Sequence, residues 1–227
     1  MHNVIVPLLV AVTLVPCSAV AQLCTGLGSF SDGPFQASAT AAFNDNAKSF
    51  GGGFAFGRTG AFGSIGVGAT SFDEFDGTGF NVSGGAGYQI ALDRKGLVHL
   101  CPTGGVAFLS GPNDVDVFGD GSVVIDLSET DIFFGVDLGL VATQSGGTQI
   151  VPAGSLGFVS ATVKGKDQVS GASDSQSESF GLLGLGIGFI FNKTVALHPR
   201  VSVPFGLEGA SASFGLTLSI NFGNTSR

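Results

Sequence analysis

Residues 213–222 read Ser-Phe-Gly-Leu-Thr-Leu-Ser-Ile-Asn-Phe, and this stretch decides the fold class. From 210 to 223 every even-numbered residue is apolar, and every odd-numbered residue is small or polar. Successive side chains of a β-strand point to opposite faces of the sheet. The strict period of two therefore predicts one long strand with a single apolar face.

The same alternation recurs along the chain, each time followed by a turn. It first appears at 35–44, where Phe35 and Phe43 share a face with three alanines. We expect about ten strands in all, although eight remain possible, and residues 122–127 could add a hairpin outside the main sheet. The eight strands between the first and the last are expected near 48–58, 60–72, 79–91, 97–109, 130–142, 148–162, 179–191 and 195–207.

The composition excludes several classes of protein. Of 227 residues 38 are Gly, charged residues make up only 11%, and the mean hydropathy is +0.45. A disordered chain would be richer in charge, and a helical bundle would not tolerate this much Gly. The glycines lack the period of three of collagen. An all-β chain with unusually apolar strands remains.

The first 21 residues have the features of a secretory signal peptide. Residues 4–15 form an apolar core, and Ala19-Val20-Ala21 is a cleavage site of the small-x-small type. A retained membrane helix is disfavoured because the apolar core is short. We therefore expect export and a mature chain that begins at Gln22.

The predicted connections alternate between short turns and longer polar loops. Acidic residues such as Asp73, Asp116, Asp167 and Asp174 lie in the long loops, whereas basic residues such as Lys193 lie in the short turns. Transmembrane β-barrels have short periplasmic turns and longer external loops. The pattern thus favours an antiparallel up-and-down barrel with an acidic outer side.

The last strand resembles the C-terminal assembly signal of bacterial outer-membrane barrels, and the mature chain resembles the small barrels of the OmpA/opacity-like group. The residues that match the signal are Ser213, Gly215, Leu216, Leu218, Ile220 and Phe222. The resemblance implies a signal peptide at 1–21, a periplasmic segment at 22–33 and a barrel at 34–223. Trp is absent and Tyr occurs once, so Phe would have to form the aromatic girdles.

This resemblance also implies a location and partners. We expect the bacterial outer membrane, contact with its lipids, and recognition of the last strand by the barrel-assembly machinery through β-augmentation. Divalent cations could associate with the acidic outer loops. No feature indicates nucleic-acid binding or a cofactor.

Four residues are candidates for contacts inside the barrel. Removal of the leader leaves Cys24 and Cys101, which in an exported chain favour one disulfide, with two unrelated thiols as the alternative. Such a bridge would pin residues 22–33 across the periplasmic mouth. Asp137 and Arg200 face the lumen by parity, either as an ion pair or as two separately hydrated charges.

The sequence gives no sign of catalysis. His99 and His198 fall near the turn ends of their strands, and no Ser/His/acid spacing or metal-ligand cluster stands out. We therefore expect a structural, surface-interaction or narrow-conduit protein, not an enzyme and not a wide porin. The alternatives are a secreted soluble β-sandwich or surface-layer protein and, third, a barrel-type hydrolase.

Overall fold

The computed structural model describes residues 23–30, 32–58, 60–73, 77–112, 115–116, 124–168, 170–207 and 209–223. The expected signal peptide lies outside these residues. Ten long strands are present: β1 (Phe35–Phe43), β2 (Ala47–Arg58), β3 (Ala61–Phe72), β4 (Thr78–Tyr88), β6 (Val98–Ser110), β8 (Val124–Leu140), β10 (Thr148–Asp167), β11 (Ser173–Phe191), β12 (Val195–Phe205) and β13 (Ser213–Phe222). Short elements are a 3-10 turn (Leu23–Thr25), β5 (Ile90–Ala91), β7 (Val115–Asp116) and β9 (Thr143–Ser145). None of the described residues belongs to a helix long and apolar enough to cross a membrane.

The ten long strands form a closed antiparallel barrel. Each pairs with its neighbour along the chain, and β1 pairs with β13 from Phe35 opposite Phe222 to Phe43 opposite Phe214. We call the end near Phe35 the turn end and the opposite end the loop end. The closure confirms the predicted ten-stranded barrel. A β-sandwich is excluded, because it would leave the first and last strands unpaired with each other.

The strand register sets the dimensions of the barrel. The shear of the barrel is the offset along a strand after one circuit through paired residues. A circuit that starts on β1 returns to β1 about 12 residues further along the strand. This shear corresponds to a strand tilt of about 40° and a backbone radius of about 10 Å. The nine residues of β1 then rise roughly 23 Å, close to the apolar band of a membrane barrel. The 20 residues of β10 rise roughly 50 Å, well beyond that band.

The outer surface carries the apolar side chains. On β13, Phe214, Leu218 and Phe222 are exposed, whereas Ser219 and Asn221 are buried inside. The predicted parity of this strand is therefore confirmed. Such an exterior is what a lipid environment requires, since a soluble protein rarely exposes large contiguous apolar surface.

Phenylalanine clusters mark both ends of this apolar band. At the turn end the Phe35 ring lies 5.9 Å from that of Phe54 and 6.0 Å from that of Phe222. At the loop end Phe43 and Phe50 meet edge to face at 5.8 Å. Phe thus occupies the positions where membrane barrels usually carry Trp and Tyr.

Three strands are longer than the sequence predicts. β8 begins at Val124, β10 continues to Asp167 and β11 begins at Ser173, so most of the predicted loop 164–178 is a β-hairpin. The physical reason is an inward-facing apolar cluster that holds this hairpin in register. Its buried members are Leu127, Val159, Ala161, Val163 and Phe180.

Two short strands also depart from the predicted boundaries. Gln89 separates β4 from β5, so the strand expected at 79–91 is interrupted. Of the hairpin expected at 122–127, the described residues 124–127 belong to the barrel strand β8, whose first two residues pair with β7. Neither change alters the strand count of the barrel.

Prolines interrupt the hydrogen-bonded ladder at the turn end. Pairing of β4 with β6 ends at Thr103, next to Pro102. Pairing of β11 with β12 is missing between Arg200 and Leu197, around Pro199. Because Pro has no backbone N–H, a lapse in pairing is expected at these places. The wall is thereby loosened where another segment packs against it from inside.

Candidate functional site

The N-terminal segment occupies the lumen at the turn end. We call residues 23–30 and 32–33 the plug. The Leu27 side chain is fully buried among Val151, Ile190 and Ala196 of the wall. Phe30 is 6% exposed and its ring lies 6.2 Å from that of Phe62. Two apolar anchors therefore hold the plug inside the barrel.

Glycines in the wall make room for the plug. An added Cβ at Gly188 would lie 2.0 Å from the carbonyl oxygen of Gly26. The same atom at Gly139 would lie 2.1 Å from the Leu23 carbonyl oxygen. No larger residue fits at either position unless the plug backbone moves. These wall glycines therefore give space to the plug.

Polar contacts complete the seat of the plug. Asn221 Nδ2 donates a hydrogen bond to the Ser29 carbonyl oxygen at 3.1 Å. Gln36 Nε2 in turn donates to Asn221 Oδ1 at 2.6 Å. At the outer edge of the turn end, Lys193 Nζ lies 3.2 Å from Asp32 Oδ1. The Ser29 carbonyl oxygen, which also accepts from the Asp32 backbone N–H, is thus tied to the barrel wall by a buried side-chain amide.

A disulfide fastens the plug to the barrel wall. Cys24 and Cys101 are bonded, with their Cα atoms 6.0 Å apart, and both side chains are fully buried. Cys101 belongs to β6, so the bridge joins the plug directly to a barrel strand. The predicted pairing is present, but the segment lies within the lumen as well as across its mouth. While the bridge is intact, the plug cannot leave.

Asp137 and Arg200 both face the lumen, as parity predicts. Arg200 Nη2 donates a hydrogen bond to Ser155 Oγ, and Thr103 Oγ1 donates to Asp137 Oδ2 at 3.3 Å. Neither of the salt bridges found among the described residues joins Asp137 to Arg200. Their direct partners are hydroxyl groups, so the ion pair stays a prediction.

The two histidines have different surroundings. His99 Nε2 donates to the Gly96 carbonyl oxygen at 2.8 Å, and Nδ1 accepts from Gln89 at the same distance. Both nitrogens are thus engaged in the structure of a turn. His198 is 3% exposed, and its Nε2 has no hydrogen-bond partner within the described residues. It lines a cavity between plug and wall that has room for about one water molecule.

Apolar side chains also narrow the loop end of the lumen. Besides the cluster around Phe180, Ala47, Phe72 and Leu109 pack together there and are at most 5% exposed. Buried apolar side chains therefore lie at both ends of the lumen, together with buried polar ones such as Gln36 at the turn end and Glu129 at the loop end.

The expected assembly signal forms the strand that closes the barrel. Leu216, Leu218 and Ile220 point outward, and the ring of Phe222 packs on Phe35 and Phe54. Ser213 and Gly215 face the interior side. In the part of the chain that the structure covers, no group of three or more His, Cys, Asp or Glu side chains could hold a metal ion.

Sequence reasoning missed the plug as a lumen element. The signal was present in Leu27 and Phe30, which are apolar residues in a short segment that belongs to no strand. The inward-facing Gly139 and Gly188 at the same end of the barrel were the complementary sign. Only the register brings these residues together.

Comparisons with known proteins give no family match and several distant structural matches. No protein-family model and no curated protein matches the chain. Among solved structures, the Yersinia pestis attachment invasion locus protein Ail matches with a TM-score of 0.43 and 11% identity, over 82% of this chain and 93% of that one. The N-terminal β-barrel domain of Pseudomonas aeruginosa OprF matches with a TM-score of 0.35 and 12% identity, over 83% and 96%.

Of two further matches, one is named a surface protein and the other a protease. Neisserial surface protein A matches with a TM-score of 0.38 and 16% identity, over 83% of this chain and 97% of that one. The outer membrane protease OmpT from Escherichia coli matches with a TM-score of 0.40 and 4% identity, over 84% and 94%. Likeness at these identities concerns the fold alone. The closed antiparallel barrel follows from the strand pairing of this chain itself.

Proposed function

We propose that the chain is an integral outer-membrane β-barrel with a closed lumen, and that it acts as a structural and surface-interacting protein. The plug carries this proposal, because Leu27 and Phe30 fill the turn end and the Cys24–Cys101 bridge holds them there. The apolar exterior and the height of β1 support insertion into a bilayer. Export by the N-terminal leader would place the turn end on the periplasmic side.

Conductance in a planar lipid bilayer tests the closed lumen. The oxidised protein should insert without producing stable current steps. The protein with Cys24→Ser and Cys101→Ser, which lacks the tether, is the matched comparison and should show brief openings at most. Stable current steps from the oxidised protein would contradict the proposal and favour a narrow conduit.

We propose a non-enzymatic role on the basis of the histidines. His99 is bonded through both ring nitrogens, and His198 lies enclosed beneath the plug, away from the loop end where a substrate would arrive. General acid–base catalysis needs a group within hydrogen-bond reach of the substrate. In peptide and glycolipid hydrolysis assays, the wild type and His198→Ala should therefore give the same result. Hydrolysis by the wild type that is lost in His198→Ala would contradict the proposal.

We also propose that the barrel-assembly machinery recognises β13. Its apolar outward residues and its unpaired state before closure are suited to β-augmentation. Phe222→Ala should lower the amount of protein in the outer membrane while refolding in detergent stays nearly unchanged. An equal loss in both measurements would indicate a general packing defect instead.

Divalent cations would associate only loosely with the loop end. Two acidic side chains there are engaged by protein groups, Asp73 by Lys48 and Asp126 by Gln168. Chelation should therefore leave the thermal stability of the purified barrel unchanged. A large loss on chelation would reveal a built metal site.

A further inference from the structure

The outward side chains of the long strands change from apolar to polar beyond the apolar band. On β10 the outward side chains pass from Leu156 and Phe158 to Ser160 and Thr162, and on β8 they pass from Ile132 to Thr130. The parity is unbroken, so these polar residues continue the surface that contacts lipid below. A lipid whose chains lie against the apolar band at the loop end therefore places its headgroup against this polar surface.

Small hydroxyl side chains line this surface in cross-strand rows. Thr130, Thr162 and Ser177 lie opposite one another on β8, β10 and β11, and Thr162 Oγ1 lies 2.9 Å from Ser177 Oγ. The next row holds Ser128 and Ser175. Neighbouring rows are about 7 Å apart along a strand, and neighbouring strands about 5 Å apart. We call these five residues the hydroxyl face.

Two lysines extend the hydroxyl face. Lys164 lies between Ser128 and Ser175, and Lys166 lies one row further from the membrane. Both side chains are exposed, and neither forms an ion pair with any described residue. By contrast Lys48, also at the loop end, lies 2.9 Å from Asp73.

The hydroxyl face with its two lysines is net positive, although the carboxylate of Asp126 lies opposite Lys166. Asp126, opposite Lys166, accepts a hydrogen bond from Gln168 Nε2 at 2.6 Å. At the loop end of a chain of net charge −8, two adjacent cations are suited to bind a phosphate. Hydroxyl donors and acceptors beside them suit the hydroxyl groups of a sugar.

We propose that the hydroxyl face with Lys164 and Lys166 binds the phosphorylated sugar headgroup of a glycolipid in the outer leaflet. The inference rests on the proposed outer-membrane location, which puts the loop end outside. The lipid chains would lie against Phe158 and Ile132, and the sugars against Thr130 and Thr162. The phosphate groups would bind the two lysines.

Titration of the folded, detergent-solubilised protein with purified lipopolysaccharide tests the proposal. The variant K164S/K166S should bind about 10- to 30-fold more weakly than the wild type, since each lysine contributes about three- to fivefold. The matched control R94S/K95S removes two adjacent cations at the turn end and should bind like the wild type. Unchanged binding by K164S/K166S would overturn the proposal.

Chemical variation of the probe identifies the groups that are bound. Lipopolysaccharide stripped of its phosphates should bind the wild type as weakly as intact lipopolysaccharide binds K164S/K166S. The isosteric T130V/T162V should weaken binding to both forms. Displacement by inorganic phosphate at equal concentration would overturn the proposal, because it would reveal an anion site that does not need the glycolipid.

A separate readout distinguishes failure of this inference from failure of the proposed function. Cell fractionation and heat-dependent gel mobility report whether the wild-type protein is a barrel in the outer membrane. If the protein is a barrel in the outer membrane but binds independently of the lysines, only the glycolipid site is contradicted. If the protein is found outside that membrane, both the proposed location and the glycolipid ligand are contradicted.

Discussion

Replacing Gly139 and Gly188 together by alanine should unseat the plug without disturbing the barrel. The added Cβ atoms would lie 2.1 Å from the Leu23 carbonyl oxygen and 2.0 Å from that of Gly26. An ordinary contact needs about 3.4 Å, so the plug backbone must move by about 1.3 Å or more at both points. Both glycines have negative φ, which alanine adopts without strain.

The shift removes apolar burial that holds the plug. Complete burial of a Leu or Phe side chain contributes about 1.5–3 kcal/mol, so Leu27 and Phe30 together contribute at most about 3–6 kcal/mol. A displacement that exposes both side chains should raise the fraction of molecules with an unseated plug about a hundredfold or more. The disulfide limits how far the plug can move but does not restore this packing.

Limited digestion with chymotrypsin measures the displacement. In the wild type Phe30 is enclosed and should resist cleavage, whereas in G139A/G188A the chain should be cut after Leu27 or Phe30. The cut is read from the mass of the N-terminal fragment after digestion is stopped and the Cys24–Cys101 bridge is reduced. The control is Gly157→Ala, an inward position whose added Cβ meets only ordinary contacts at 3.5 Å and beyond. Equal protection in all three proteins would refute the view that wall glycines seat the plug.

Three further variants test other parts of the molecule. Cys101→Ala opens a loop with a sequence separation of 77 and should destabilise the barrel by up to about 4–5 kcal/mol in urea unfolding; an unchanged midpoint would show that the bridge adds nothing. A double-mutant cycle of Asp137→Asn and Arg200→Met should give a coupling of about 1 kcal/mol, and a coupling of zero would mean two separately hydrated charges. Hydrogen bonds from the backbone of Val98, Leu97 and Lys95 keep the pKa of Asp93 below its usual 3.8. Asp93 therefore contributes stability that is complete above the unfolded pKa and is lost as the pH falls through the lower folded pKa. The stability gap between wild type and Asp93→Ala, measured by thermal unfolding, should be present at pH 6 and shrink below pH 4; a gap independent of pH would contradict this account.

The barrel itself could be predicted from the sequence because a bilayer imposes the alternation. Every outward position between Phe214 and Phe222 must be apolar, and every inward one can be small or polar. The pattern therefore gives strand number and side-chain parity. It does not give register, which depends on pairing between distant segments.

The extended hairpin of β10 and β11 could not be predicted for the same reason. Beyond the bilayer, the outward side chains face water or headgroups, so Lys164 and Ser175 are as suitable as Leu or Phe. Residues 173–179 contain only Ser, Asp, Gln and Glu, which is typical of a loop. These residues are held as a strand by β10, whose Val159 and Val163 are buried.

The contents of the lumen were only partly predictable. Cysteine counting suggested the Cys24–Cys101 bridge, and parity put Asp137 and Arg200 inside. The seating of Leu27 depends on which wall positions are glycine and on how the register aligns them. Those are properties of the closed barrel, and no single segment displays them.

The mobility of the protein on an SDS gel, with and without boiling, tests the central claim most directly when the sample comes from the outer-membrane fraction. A closed ten-stranded barrel resists SDS unless heated, so we expect the unboiled and boiled samples to migrate differently. The boiled protein should migrate near the mass of the chain without its leader. Identical mobility in both samples, with the protein recovered in the soluble fraction, would contradict an outer-membrane barrel.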